Sequence, residues 1–413
     1  MKVLIVNYAD LVGGAARAAY RLHESLRSIG VRSQLLVASR TSADPDVAGP
    51  RSALGRYVAK ARAVADQWPT RLYPDRTATL FTPASLPFSG LAARINASDA
   101  DVVHLHWING GMARIEDIAA IRKPIVWSLH DMWAFTGGCH YDGECGRYTL
   151  QCGACPVLGS EDPNDLSRKV FERKARTFAA TRNMTIVGLS GWMAGAAKAS
   201  TLFKDKHVVQ LPNPIDTSVF TPTEKREAKR SIGLNTDRPL VLFGAMNATA
   251  DPRKGFKQLS EALRLLPPGS VELGVFGANR PADPPELGHP THYLGHFNDD
   301  RALCTLYNAA DVTLVPSIQE NLSNTIVESL ACGTPAVGFA IGGNSDMIVD
   351  RVNGALARPF DATHLAECIR WVVEHPEKEL LRSNARRVAM ERFDAPLVAR
   401  RYEALYASVI AAP

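Results

Sequence analysis

Short, nearly continuous apolar runs alternate with longer stretches of helical spacing along the whole chain. In the first half the runs are residues 3–7, 33–38, 102–106, 125–129 and 185–189, each of strand length. Residues 15–29 have the three-and-four spacing of a helix and stop at Gly30. The second half repeats the pattern, with predicted strands at 240–243, 273–276, 292–294, 312–315 and 336–339. Alternation of this kind predicts α/β domains with parallel, doubly wound sheets. The prolines of Leu211-Pro212-Asn213-Pro214-Ile215-Asp216 disfavour both helix and ladder, which marks a linker. At 413 residues the chain is also too long for one core. The predicted domains are residues 1–212 and 213–394. A tail, 395–413, carries Val398, Tyr402, Leu405 and Tyr406 at helical spacing and is expected to return to the first domain.

Ligands of such sheets bind beyond the carboxyl ends of the strands. The most informative segment lies there. After the strand at 312–315 come Pro316, Ser317, Ile318, Gln319, Glu320, Asn321, Leu322 and Ser323, then a helix with Ile326, Val327 and Leu330 on its apolar face, stopped by Gly333 and Pro335. Glu320 falls on the loop and Glu328 about one turn into the helix. Backbone N–H groups at the helix start form an anion site between two carboxylates that accept hydroxyl protons. A phosphate flanked by hydroxyl-bearing groups describes a nucleotide sugar. The plain alternative is two acidic residues offsetting a helix dipole.

Residues 315–335 as a whole resemble the signature of the retaining nucleotide-sugar glycosyltransferases of family 4 (glycosyl transferases group 1), which have the GT-B fold of two Rossmann-like domains facing a cleft. The resemblance is strongest over residues 240–350 and extends into the first 215. It implies transfer of a sugar from a nucleoside-diphosphate donor to an acceptor hydroxyl with retention at the anomeric carbon. Glu320 would face the donor sugar and Glu328 the ribose, with Asn321, Leu322 and Ser323 supplying the loop amides. Lys254, in Asp251-Pro252-Arg253-Lys254-Gly255-Phe256, matches the family's lysine at the diphosphate. The family's arginine directly after the strand-end glycine is missing, because Ala245 follows Gly244, and Arg253 is the substitute candidate. The chemical need is cations facing a leaving group that gains negative charge. His130 closes the 125–129 strand, where the family has a histidine near the donor sugar; the alternative is a structural histidine bonded to Asp131 or backbone. Gly13 and Gly14 open the first helix and allow close approach of a bound group, although a plain tight turn explains them too. Gly342 and Gly343 form a further loop on the same rim. His104 and His106 share a strand face by alternation.

The chain lacks G-x-G-x-x-G, which argues against a nicotinamide dehydrogenase. No Asp-x-Asp closes a strand, so no catalytic cofactor or divalent ion is expected. Cys139, Cys145, Cys152 and Cys155 cluster in a Gly-rich stretch. Three readings stand for them: a structural zinc site, free thiols or disulfides. Cys304, Cys332 and Cys368 are isolated. Residues 51–76 interleave Arg56, Lys60, Arg62 and Arg71 with Leu54, Tyr57, Val58, Val64, Trp68, Leu72 and Tyr73. An amphipathic helix there would either lie on an anionic membrane or pack on its own domain with a solvated basic edge.

No apolar run approaches the roughly 20 residues of a membrane span, and residues 1–7 read as a first strand rather than a signal peptide. A cytoplasmic protein is expected, working at the inner face of the cell membrane if its acceptor is lipid-linked. The net charge of +5 suits anionic ligands without calling for nucleic acid. The resemblance is closest to enzymes of exopolysaccharide or lipopolysaccharide assembly, with a glycan or lipid-linked acceptor. Two other readings share the donor site: a nucleotide-sugar epimerase or hydrolase, and a non-catalytic sugar-nucleotide sensor.

Overall fold

Each half of the chain builds one fully parallel sheet from short aliphatic strands. The computed structural model describes residues 1–50, 52–244, 251–297 and 299–412. It divides into two compact units, Met1–Pro214 with Val398–Pro413, and Ile215–Leu397.

In unit 1 the strands are β1 (Lys2–Ala9), β2 (Arg32–Ser39), β3 (Val47–Ala48), β4 (Val102–Leu105), β5 (Ile125–Leu129), β6 (Met184–Gly188) and β7 (His207–Gln210). Their order in the sheet is β3-β2-β1-β4-β5-β6-β7. The helices are α1 (Gly14–Ser28), α2 (Ala53–Asp66), α3 (Leu91–Ala97), α4 (Leu166–Ala180) and α5 (Gly191–Ala199). Alternation along β1 splits the core. Val3 and Ile5 join one cluster with Leu22 and Leu26 of α1, while Leu4 and Val6 join the other with Ile95 and Phe178. The first cluster also takes in Val398, Tyr402 and Tyr406 from the last helix of the chain, Ala395–Ala411.

Unit 2 has the helices α6 (Lys225–Ser231), α7 (Phe256–Arg264), α8 (Asp300–Ala309), α9 (Asn324–Ala331), α10 (Asn344–Met347), α11 (Ala362–Val373) and α12 (Lys378–Phe393), and the last helix is α13. Its strands are β8 (Leu240–Gly244), β9 (Glu272–Phe276), β10 (Thr291–Gly295), β11 (Val312–Val315), β12 (Ala336–Phe339) and β13 (Gly354–Ala357), in the order β10-β9-β8-β11-β12-β13. Leu259 and Leu263 of α7 and Leu365 and Ile369 of α11 cover one face. The fold class is therefore α/β with two Rossmann-like parallel sheets.

In both sheets the strand order reverses beside the first strand, between β1 and β4 and between β8 and β11. These are the switch points at which a parallel sheet opens a crevice for a ligand. The short strands β3, β7 and β13 escape the hydrophobic pattern. His207–Gln210 is half polar, and Gly354–Ala357 has no β-branched residue. No described helix is long and apolar enough to cross a membrane.

Candidate functional site

At the switch point of unit 2, a short turn after β8 docks on the loop after β11. The turn, Pro252–Lys254, starts with Asp251, whose carboxylate accepts from the Arg253 N–H. Ile318 N–H donates to the Arg253 carbonyl at 2.8 Å. Gly255 lies at φ +72°, and a Cβ there would come within 1.8 Å of the Pro316 carbonyl oxygen. Only glycine permits this contact. The result is that Lys254 Nζ sits 2.9 Å from Glu320 Oε2, and the same oxygen accepts from Ser317 Oγ at 3.1 Å. Glu320 is buried, whereas Lys254 keeps part of its side chain in solvent. Gly342 closes the loop from the other side. A Cβ on it would lie 1.9 Å from the Glu320 carbonyl oxygen, which accepts from Gly343 N–H at 3.1 Å.

Ser323 is the N-cap residue of α9, yet it makes no side-chain capping bond, and no acidic residue stands in the first turn. A helix start left without a side-chain cap suits an anion. Asn321, Leu322 and Ser323 are buried along the approach to it. Glu328, five residues into α9, is buried and accepts from the Tyr307 hydroxyl of α8 at 2.7 Å. Burial, and next the Glu328 charge, push the Tyr307 phenol well up, so it stays a donor. Arg253 is turned back onto Asp251, with Nη2 2.7 Å from Oδ2. Ala245, which marks the departure from the family pattern, lies outside the described residues.

The switch point of unit 1 gathers Gly13, Gly14, His106 and His130. Gly13, at φ 99°, caps α1 without a side-chain bond. Asp10 ties this loop down: its carboxylate accepts from Thr41 N–H and Oγ and from Ser42 N–H. Burial works against that charge, but these donors hold the carboxyl below its usual range.

Among the described residues the His130 ring bonds neither Asp131 nor backbone: its Nε2 lies 2.8 Å from His106 Nδ1. The rings of His106 and His104 are 4.2 Å apart, and His104 bonds Tyr406 and Ser128. Burial lowers His130 to about 4 and His104 to about 3, and holds His106 well below its ordinary value. The row is therefore neutral at neutral pH. Buried His106 Nε2 has no hydrogen-bond partner among the described residues. Asp131 instead holds His140 Nδ1 at 2.7 Å and Trp107 Nε1 at 3.0 Å. Residue spacing hid this pair, since His140 lies within the cysteine-rich stretch.

That stretch folds into unit 1. Cys139 and Cys155 pack with Phe81, Val157 and Leu158, and Gly137 N–H donates to Cys152 Sγ at 3.1 Å. All four cysteines are free thiols, and burial pushes them up, Cys152 to about 12. Among the described residues no group of three or more His, Cys, Asp or Glu side chains is arranged to hold a metal ion. A nearby cation is Lys174, wholly buried, which donates to the Trp133 and Thr136 carbonyls and lies over the Trp133 ring. Burial lowers it to about 7.

Two family models fit the chain. One, described as Glycosyltransferase Family 4, matches residues 12–219; the other, Glycosyl transferases group 1, matches residues 224–388. The chain belongs to glycosyltransferase family 4. This family 4 chain is 32% identical over 203 residues to a D-inositol 3-phosphate glycosyltransferase of Xylanimonas cellulosilytica, covering 45% of this chain and 47% of that protein. It is 32% identical over 303 residues to the protein of the same name from Mycolicibacterium smegmatis, covering 70% and 63%. The chain thus spans between about half and just under two thirds of the length of these curated relatives. Among solved structures, Anabaena Alr3699/HepE in complex with UDP and glucose superposes with a TM-score of 0.63 at 17% identity, over 99% of this chain and 100% of that one. At that identity the likeness concerns the GT-B fold alone.

Proposed function

We propose that this family 4 chain moves a sugar from a nucleoside-diphosphate donor to an acceptor hydroxyl, with retention at the anomeric carbon. The observation that carries the reading is the Lys254–Glu320 pair beside the start of α9, at the switch point of its sheet. A cation and the amides at a helix start suit a diphosphate, and a carboxylate in contact with that cation suits the hydroxyls of the attached sugar.

In the reaction the bond from the anomeric carbon to the diphosphate oxygen breaks as the acceptor oxygen bonds to the same face of that carbon. The acceptor proton passes to the leaving phosphate, so no enzyme nucleophile is required. Lys254 and the first-turn amides of α9 meet the charge that builds on the leaving group, and each such contact contributes roughly 2–4 kcal/mol to barrier lowering. Glu320 orients the sugar. Glu328, braced by Tyr307, accepts from the ribose hydroxyls. His130, neutral at working pH, offers a ring nitrogen to a sugar hydroxyl. Arg253 contributes at the diphosphate only if it leaves Asp251.

The curated relatives are named for D-inositol 3-phosphate, not for surface polysaccharide assembly. That makes D-inositol 3-phosphate the first acceptor to try, in place of the exopolysaccharide or lipopolysaccharide acceptor that the sequence resemblance suggests. The test is a panel of UDP-, GDP-, ADP- and TDP-sugars read by thermal shift and by diphosphate release, with and without that acceptor. A donor that stabilises the protein, with release that depends on an acceptor, supports transfer. Free sugar without acceptor would indicate a hydrolase, and stabilisation with no release under any condition a sensor. Failure of every donor to stabilise the protein overturns the assignment of Lys254, Glu320 and Glu328.

A further inference from the structure

Helix α2 is built the wrong way round for a helix that packs only on its own domain. A surface helix ordinarily turns its apolar stripe inward. In α2 and the turn that continues it, Tyr57, Val58, Ala61, Val64 and Trp68 follow Leu54 at offsets of 3, 4, 7, 10 and 14, so they share a face. That face points to solvent: Leu54 is 72% exposed, Tyr57 70% and Trp68 65%. The inward side is held by polar groups. Asp66 is buried and accepts from Ser85 N–H at 3.0 Å, while Arg62 donates to the Gly111 carbonyl at 2.9 Å and the Pro87 carbonyl at 3.1 Å. Those bonds fix the helix with its stripe outward. Next to Pro87, Phe88 stands 96% exposed, with its backbone in the left-handed region at φ 58°. A phenylalanine held in that conformation and in water has no packing reason on its own domain.

We infer that this face of unit 1 docks on an anionic lipid surface. The charges argue for that occupant over a second apolar protein face. Between residues 52 and 72 the cations are Arg56, Lys60, Arg62 and Arg71, against Asp66 alone, which is buried and turned inward. Arg56 and Lys60 are exposed beside the stripe, and the Arg71 guanidinium lies 5.1 Å from the Trp68 ring centre. Exposed aliphatic groups entering the acyl boundary, Trp and Tyr at the headgroup level, and Lys and Arg at the phosphates are the layout of a helix lying in a membrane interface. Second-copy docking would set Arg56 and Lys60 of one chain near like charges of the other.

The test is cosedimentation of the full chain, without nucleotide, with vesicles of phosphatidylcholine alone and of phosphatidylcholine mixed with phosphatidylglycerol. Binding to the mixed vesicles should be at least about tenfold tighter, as each cation near the surface is worth about fivefold, and should weaken with added salt. Tyr57→Ser/Val64→Ser/Trp68→Ser should reduce binding by at least about tenfold, since each substitution removes apolar area from the contact. Arg56→Ser/Lys60→Ser should bring binding to mixed vesicles close to that of neutral ones. Unchanged thermal melting shows that the variants are folded. If the triple variant fails that check, the charge variant decides. Equal binding to both vesicle types, no binding, or a charge variant that binds like the unaltered chain overturns the inference. So does a concentration-dependent dimer that the triple substitution abolishes, because a second copy then covers the stripe. Vesicle binding is read apart from diphosphate release, so either reading can fail alone.

Discussion

Lys254 Nζ and Glu320 Oε2 stand 2.9 Å apart in unit 2, so the cation proposed for the diphosphate and the carboxylate proposed for the sugar neutralise each other across one short contact. Replacing Lys254 by Ala takes away the cation and leaves a buried carboxylate with Ser317 as its remaining side-chain donor among the described residues. The expected loss in kcat is about 30- to 1000-fold, the effect of removing one group that stabilises a developing anion. Lys254→Arg should recover part of it. Single-turnover rates at saturating donor check this, because loss of affinity alone would vanish at saturation.

Tyr307→Phe keeps the ring that packs beside Phe220 and Phe276 but removes the hydroxyl that donates to Glu328. A hydrogen bond to a charged group is worth about 1.5–3 kcal/mol. Nucleotide affinity by calorimetry should fall about tenfold or more, with kcat at saturation little changed. A fall in kcat with affinity intact would place Glu328 at the reacting sugar rather than at the ribose.

Gly255→Ala and Gly342→Ala put a methyl group within 1.8 Å and 1.9 Å of a carbonyl oxygen, at φ +72° and +50°. Both should destabilise unit 2 by about 2 kcal/mol or more in denaturant unfolding, through steric overlap added to backbone strain. Gly233, at φ +79° with open space around its would-be Cβ, is the control. Ala there should cost about 1 kcal/mol, the left-handed strain alone.

The His104, His106 and His130 row sets a pH dependence for unit 1. All three are held neutral, with folded-state values below the ordinary 6.5: about 3 for His104, about 4 for His130, and well down for His106. The unfolded chain therefore binds more protons once the pH drops below about 6.5, and unfolding gains from each one. Stability is complete above that pH and falls as the pH goes from about 6.5 towards 4. Urea midpoints across that range should show the slope, and His130→Asn should flatten it. A midpoint independent of pH there would mean that the row is not buried neutral.

The parts of the fold visible in the sequence are those written in local pattern. Aliphatic runs placed β1, β5, β8 and β11, and their carboxyl ends pointed to Lys254, Glu320 and Glu328. Alternation alone put His104 and His106 on one face, and their rings do adjoin. What stayed hidden depends on groups brought together from separate strands. The partner of His130 is His106, the residue just after β4, set by the register of Leu105 against Trp127. Glu328 is braced by a tyrosine from the preceding helix. The cysteine spacing left zinc, free thiols and disulfides open, and gave no sign that Cys139 and Cys155 would pack with Phe81, Val157 and Leu158. For α2, composition showed an amphipathic helix but not its direction. That is set by Asp66 and Arg62 bonding to backbone across the domain.

The most direct test of retaining transfer is a proton NMR time course of the unaltered chain with the donor chosen by thermal shift and with D-inositol 3-phosphate or a further hydroxyl acceptor. Retaining transfer predicts a new glycosidic anomeric signal with the donor's own configuration, growing in step with free nucleoside diphosphate and absent with Lys254→Ala. A product of inverted configuration would contradict retention, and diphosphate release at the same rate with and without any acceptor would contradict transfer itself.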